Sequence, residues 1–523
     1  MIRRSLRRTS AALAILLAGA LALSGCLYSQ IPPKGVGGAC VSTPASTEGV
    51  DEGLVEFYDQ KVEWEDCGSG MESATVTAPL DWADPSAGEI ELAVVRQPAT
   101  GDASKGSLLI NPGGPGGSGY DFVATSVDFA VSETLQENYD IVGFDPRGVG
   151  RSTAVTCLDG DEMMQYLYAL PTHPRGTPEW EAEGTADNQR FADACEANSG
   201  GILPYITTDQ SAHDMDLLRA VLGDDQLTYL GYSYGTFLGA TYAKLFPENA
   251  GRLVLDGAID PSVSGTEVGT TQGVGFEAAL RTYMQACLDG DADSGGGCPF
   301  SGTVDQAMGD LGALLASVDR TPLPNTADGR QLGADSLLTA IIAALYAPEN
   351  WPYLTDAFSQ ALQGDPATAF MLADFYNGIE NGEFTDNSAE AFQAYNCMDY
   401  PADESQEAQD AADALLREKA PTIAAYWDGP GVCEVWPHEP TGVREKIAAE
   451  GAAPIVVIGT TGDPATPYEW AVSLADQLSS GVLMTFEGEG HTAYNGQSSC
   501  IDEAVDAFFV DGTVPEDGLT CTP

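Results

Sequence analysis

Gly231-Tyr232-Ser233-Tyr234-Gly235 frames one serine as G-x-S-x-G, and no other serine of the chain is framed that way. The apolar run Leu227–Leu230 before it reads as a strand, and Thr236–Phe246 after it reads as a helix. A serine on such a strand–turn–helix corner stands above the sheet, and the glycines let backbone approach backbone. The Tyr234 N–H then lies at a helix start, where it can stabilise an oxyanion. A serine hydroxyl attacks only with a base beside it. The chain has four histidines: His173 in a Pro/Thr-rich loop, His213 at a helix start, His438 in Trp-Pro-His-Glu-Pro, and His491 in Gly-Glu-Gly-His-Thr. Only His491 follows the last strand, where a triad ordered serine, acid, histidine places its base. The acid must orient that imidazole and stabilise its cation. Asp463, in Gly-Asp-Pro-Ala-Thr-Pro, is preferred over its competitor Asp256 because it sits one strand before the His491 loop and lies between Ser233 and His491 in order. Thr466 fits either a hydrogen bond within the Asp463 turn or a helix N-cap.

Asn111-Pro-Gly-Gly-Pro-Gly-Gly-Ser-Gly119 follows another apolar run. It lacks the Lys-Ser/Thr of a phosphate-binding loop and the G-x-G-x-x-G of a dinucleotide site. Its place after an early strand fits the second oxyanion donor of an α/β-hydrolase, with Gly114 N–H chosen and Gly113 the alternative. No H-E-x-x-H occurs and the histidines are scattered, so neither a metal nor a cofactor is expected.

The elements that must position these residues are readable in outline. Strands are expected at Ala74–Thr77, Glu89–Arg96, Gly106–Ile110, Tyr139–Phe144, Leu227–Leu230, Arg252–Leu255, Ala453–Gly459 and Val482–Phe486. Helical spacing separates several of them, as in Asp209–Leu222, Trp470–Leu478 and Asp502–Phe509. That alternation signals a mostly parallel sheet flanked by helices. With the serine corner, it gives an α/β-hydrolase fold. From 261 to 450 the pattern is helical and Ala-rich, which reads as a large inserted cap. The expected organisation is a signal peptide (1–25), a tether and N-terminal segment (26–70), a first core part (71–260), the cap (261–450) and a C-terminal core part (451–523).

The first eight residues carry four arginines, and an apolar run from Ala11 to Leu23 follows. The run suits a signal peptide rather than a membrane span. Leu-Ser-Gly-Cys26 after it has the form of a bacterial lipobox, so Cys26 is expected to carry lipid at the outer face of the cell membrane. Ten of the 11 cysteines remain, an even number suited to disulfides in an exported chain. Sequential pairing would give Cys40–Cys67, Cys157–Cys195, Cys287–Cys298, Cys397–Cys433 and Cys500–Cys521. The formal charge is −56, from 22 basic and 78 acidic residues. That charge argues against any nucleic-acid partner. The hydrophobic content of 43% argues against a disordered acidic chain. A monomer is expected.

Taken in order, five pieces resemble the proline iminopeptidase and tripeptidyl aminopeptidase family of exported α/β-hydrolases, including its actinobacterial lipoproteins. They are Gly114-Pro-Gly-Gly117, Asp145-Pro-Arg-Gly-Val-Gly-Arg-Ser152, Gly-Tyr-Ser233-Tyr-Gly-Thr236, Gly-Asp463-Pro-Ala-Thr-Pro and Gly-His491-Thr. The resemblance runs from about residue 70 to the C-terminus and is least clear in the cap. Pro112 stands where many relatives have histidine, a departure common in the tripeptidyl branch. The resemblance implies a cell-surface serine aminopeptidase releasing di- or tripeptides from a free N-terminus. An esterase or lipase with the same triad is the alternative, and a non-catalytic surface-binding lipoprotein is the third reading. Counting from a free end calls for a carboxylate to offset desolvation of the α-ammonium. Asp399, among aromatics beside Cys397, is the candidate, set against a surface Asp capping a turn.

Overall fold

The computed structural model describes residues 40–47, 49–292, 295–401, 405–427 and 429–523, Cys40 by its backbone alone. The expected signal peptide and lipid-bearing Cys26 lie outside the described residues. Eleven strands form one sheet: β1 (Cys40–Val41), β2 (Glu63–Gly68), β3 (Met71–Pro79), β4 (Glu89–Gln97), β5 (Ser107–Asn111), β6 (Asp140–Phe144), β7 (Leu227–Tyr232), β8 (Ala250–Asp256), β9 (Ile455–Gly462), β10 (Gly481–Glu489) and β11 (Leu519–Cys521). Their spatial order is β1-β2-β3-β4-β6-β5-β7-β8-β9-β10-β11. Pairing is antiparallel from β1 to β6 and parallel from β6 onward. Every residue of β5 is buried, as are five of six in β7. Helices cover both faces there, which is why these strands read as continuous apolar runs. This is the α/β-hydrolase architecture, with β7 in the middle of the parallel part.

Three strands were not legible. β1 and β2 fall in the stretch read as a tether, and only Trp64 of β2 is buried among acidic neighbours. The N-terminal segment is therefore sheet edge from Cys40 onward, anchored by buried Phe57, Tyr58, Val62 and Trp64. β11 is three residues long. The helix after Ser233 begins directly at Tyr234, two residues earlier than expected.

Between β8 and β9 the chain leaves the sheet for long helices, beginning with Gly265–Asp289 and Val304–Arg320, and two short hairpins. These helices share a hydrophobic core of their own, including Leu280, Met284, Leu311, Leu315, Ile341 and Phe358. The helix Ser388–Asp399 is the exception. Its Ala391, Ala394, Tyr395 and Met398 join the core of the sheet domain, with Tyr234 and Phe237.

Disulfides Cys157–Cys195, Cys287–Cys298, Cys397–Cys433 and Cys500–Cys521 are present. The expected Cys40–Cys67 pair is not: Cys67 is a free thiol. The β1–β2 register sets Cys40 opposite Trp64. Cys67 is three residues farther along, roughly 10 Å, beyond disulfide reach.

Arg147, from the Asp-Pro-Arg motif, is fully buried and grips Asp214 with two hydrogen bonds of 2.7 and 2.8 Å. It also donates to the carbonyls of Leu80 and Pro79, tying β3 to the helix Thr208–Leu222. Arg147→Met would strand the Asp214 carboxylate in the core. The expected loss is about 3–5 kcal/mol, read from urea unfolding; a loss below about 1 kcal/mol would contradict this assignment.

Candidate active site

Ser233 sits at φ 55°, ψ −124°, a backbone region that residues with a side chain rarely occupy. The flanking glycines are required by crowding. A Cβ on Gly231 would stand 2.4 Å from the Gly235 carbonyl oxygen, and one on Gly235 would stand 2.9 Å from Asn111 Oδ1. The corner is pinned from both sides. Ser233 N–H donates to the Asp256 carbonyl at 2.9 Å, and Thr236 Oγ1 donates to the Ser233 carbonyl at 2.6 Å.

The glycine-rich loop lies directly against this corner. A Cβ on Gly113 would come within 2.7 Å of Ser233 Cβ and 3.2 Å of Tyr234 N. Gly113 N–H is already taken by Asn111 Oδ1 at 2.9 Å. Gly114 N–H has no acceptor among the described residues, and Tyr234 N–H, at the first helical position, has none within its helix. Of the two glycines weighed, Gly114 is the one with a donor to offer.

His491 Nδ1 hydrogen-bonds both oxygens of Asp463, at 2.8 and 3.0 Å. Asp463 is held in turn by the N–H groups of Ala465 and Thr466, each at 2.9 Å, and by Thr466 Oγ1 at 2.9 Å. Thr466 therefore bonds within the Asp463 turn. The His491 Nε2 atom is buried and has no hydrogen-bond partner among the described residues, Ser233 included. Burial pushes the imidazole pKa down, but the charge and hydrogen bond of Asp463, with a smaller contribution from Asp256, outweigh it and hold it above the ordinary value.

Asp256 does not touch His491. Its carboxylate accepts the N–H groups of Ala493 and Tyr494 at 2.8 to 3.1 Å. Burial pushes that carboxyl up to about 6 in spite of these donors. With its carbonyl on Ser233, this residue ties the serine corner to the histidine loop. The next residue, Gly257, leaves the space that His491 uses: a Cβ there would come within 3.1 Å of His491 Cε1.

The insertion covers the histidine. Tyr346 accepts the His491 N–H on its carbonyl at 2.8 Å and sets its ring edge-on to the imidazole, centroids 5.2 Å apart. Nothing in the local sequence marks Tyr346 or the bridging role of Asp256, since both act across long sequence separations. A cleft of about 280 Å³ lies beside the acid loop, among Val274, Ala278, Thr461, Asp463, Tyr468 and Glu489. Ser233 is not among its lining residues, so it is not the reaction cavity.

Asp399 is placed differently from expectation. It is 3% exposed, and both its oxygens are committed to Thr208, at 2.9 Å from the N–H and 2.6 Å from Oγ1. A carboxylate so enclosed cannot meet a substrate ammonium. The other histidines also lie apart: His438 pairs with Glu196 at the surface, His213 stacks on Trp82, and His173 N–H bonds Glu183.

A family model described as TAP-like protein matches residues 420–521, and one described as alpha/beta hydrolase fold matches 106–293. A protein named serine protease Hip1 of Mycobacterium tuberculosis is 36% identical over 486 residues, spanning 88% of this chain and 91% of its own. Carboxylesterase B of the same species is 38% identical over 465 residues, 86% of each chain. A tripeptidyl aminopeptidase of Streptomyces lividans is 31% identical over 481 residues, 88% of this chain and 87% of its own.

The pairing makes a direct prediction for the imidazole. In an NMR titration His491 gives up its proton above the ordinary value near 6.5. Asp463→Asn removes both the charge and the acceptor, and so lowers the midpoint more than Asp256→Asn does. A larger drop in the Asp256 variant would contradict the pairing.

Proposed function

The chain belongs to the TAP-like family of α/β hydrolases, and on that premise we propose that it is a serine peptidase acting through Ser233, His491 and Asp463 on short peptides with a free N-terminus. The observation that carries this reading is the His491 Nδ1 bond to Asp463, which leaves Nε2 buried and uncommitted to any acceptor or donor among the described residues. Asp463 holds the Nδ1 proton, so the lone pair is on Nε2. Nε2 takes the Ser233 proton as Oγ attacks the scissile carbonyl, and the imidazolium is stabilised by Asp463. The N–H groups of Gly114 and Tyr234 receive the oxyanion. His491 then protonates the leaving amine, and water, activated by the same nitrogen, releases the acyl product. The raised pKa sets the acid limb of the rate profile, because only the neutral imidazole serves as base. That limb lies at higher pH than for an ordinary imidazole.

Release of di- or tripeptides is supported by the relative named tripeptidyl aminopeptidase, with the insertion between β8 and β9 as the cap. We place the enzyme outside the cell, lipid-anchored at Cys26, on the strength of the N-terminal sequence; among the described residues no helix is long and apolar enough to cross a membrane. An esterase is the second reading, favoured by the relative named carboxylesterase B.

Ser233→Ala is expected to fold and to lose on the order of 10⁶ in kcat, and Asp463→Asn roughly 10⁴, more than Asp256→Asn. Near-normal turnover by Ser233→Ala overturns the serine mechanism. The substrate class is read from one panel of chromogenic di- and tripeptides, their N-acetylated forms and short-chain esters. Free-amine peptides should far exceed the acetylated ones in kcat/KM. Equal turnover of free and blocked peptides, or turnover of esters alone, moves the assignment to the esterase or endopeptidase class.

A further inference from the structure

Asp399 ends the helix Ser388–Asp399, and its carboxylate begins a buried chain that ends on the nucleophile corner. Asp399 Oδ1 accepts the Thr208 N–H at 2.9 Å and Oδ2 accepts the Thr208 hydroxyl at 2.6 Å. Thr208 Oγ1 lies 2.5 Å from the Tyr234 hydroxyl. A hydroxyl has one proton, and a carboxylate only accepts. With the Thr208 proton given to Asp399, the Tyr234 phenol must donate to Thr208. The chain then has one direction, Tyr234 to Thr208 to Asp399, and in a dry interior its links reinforce one another. The Tyr234 ring is flanked by Tyr395 of the same helix and by Phe237, at 5.7 and 6.3 Å between centroids. Tyr395 donates to the Arg147 carbonyl at 2.9 Å.

The other end of this helix meets the glycine-rich loop. A Cβ on Gly116 would stand 2.7 Å from the Ser388 carbonyl, 3.0 Å from Phe392 N and 3.2 Å from Ala391 Cβ. The Cys397–Cys433 disulfide and the N–H groups of Thr441 and Gly442 on the Met398 carbonyl hold the helix in place. One element of the insertion thus touches the carriers of both oxyanion donors.

We propose that Asp399 is a positioning residue of the oxyanion hole: through Thr208 it fixes the Tyr234 side chain and so the direction of the Tyr234 N–H, while its helix braces the Gly114 loop. This rests on the serine mechanism above, and the test separates the two. A group that only stabilises the fold leaves ground state and transition state equally bound. A group that aims an oxyanion donor changes the transition state alone.

The experiment compares Tyr234→Phe, Thr208→Val, Asp399→Asn and the double variant Thr208→Val/Tyr234→Phe. The readouts are kcat and KM on a chromogenic peptide and Ki for a peptide boronate of matching sequence. Tyr234→Phe removes one oxygen, keeps the backbone donor and decides the matter if Asp399→Asn does not fold. Each single variant is expected to lower kcat and weaken the boronate by about tenfold, less than deletion of a donor, with KM within twofold. The double variant should be no worse than the worse single one, because both break one chain. Boronate affinity and kcat within twofold of the parent, or losses that multiply in the double variant, overturn the proposal. Ser233→Ala is run beside them. Retained turnover there defeats the serine mechanism itself, whereas full loss there with unaffected Tyr234→Phe defeats the positioning role alone.

Discussion

A serine held at φ 55° is strained by about 1–3 kcal/mol, and such a residue persists only where its surroundings allow it no other place. The centre of the sheet supplies those surroundings. β7 ends between β5 and β8, so Asn111 crowds the corner from one side and the Asp256 carbonyl receives the Ser233 N–H from the other. The same Asp256 reaches with its carboxylate to the loop after β10. One buried residue therefore links the strained Ser233 corner to the His491 loop. The registered parallel strands set the spacing, since every loop involved leaves the C-terminal end of a parallel strand.

The insertion between β8 and β9 is part of this arrangement and not merely a cover. Its first helix, Gly265–Asp289, packs so closely on the acid loop that a Cβ on Gly275 would stand 2.7 Å from the Pro464 carbonyl, and Gln272 donates to the Ala465 carbonyl at 2.8 Å. Tyr346 holds the histidine loop, and Ser388–Asp399 lies on the glycine-rich loop and, through Thr208, on Tyr234. The four loops that carry proposed catalytic groups are thus met by three parts of one insertion, the helix Ser388–Asp399 meeting two of them. The helix Gly265–Asp289 and Tyr346 pack on the insertion's own apolar core, whereas Ser388–Asp399 is seated in the core of the sheet domain.

What the sequence disclosed follows from how local each signal is. Five consecutive residues at Ser233, between an apolar strand and a helix, announce the corner because the crowding that demands Gly231 comes from Gly235 itself, although Gly235 is crowded by Asn111. The central strands are legible because burial on both faces makes them uniformly apolar. β2 is not, because Trp64 alone turns inward from an acidic edge strand. In the sequence, Asp463 is separated from Asp256 only by its place one strand before the His491 loop. Both follow sheet strands, and only the fold shows one under the imidazole and the other under the N–H groups of Ala493 and Tyr494. Asp399 drew attention through its aromatic neighbours, but its partner Thr208 lies 191 residues away, so the direction in which it acts was hidden. The same limit applied to Cys67, whose expected partner is excluded by the register of β1 on β2.

The claim on which everything else rests is that Ser233 is the single activated nucleophile. Labelling the intact protein with a fluorophosphonate and mapping the adduct by peptide mass spectrometry tests it most directly, since the reagent reacts with an activated serine and not with an ordinary hydroxyl. The account predicts one adduct, on Ser233, formed at a rate that falls as His491 becomes protonated. A stoichiometric adduct on another residue, or none on the folded protein, would contradict it.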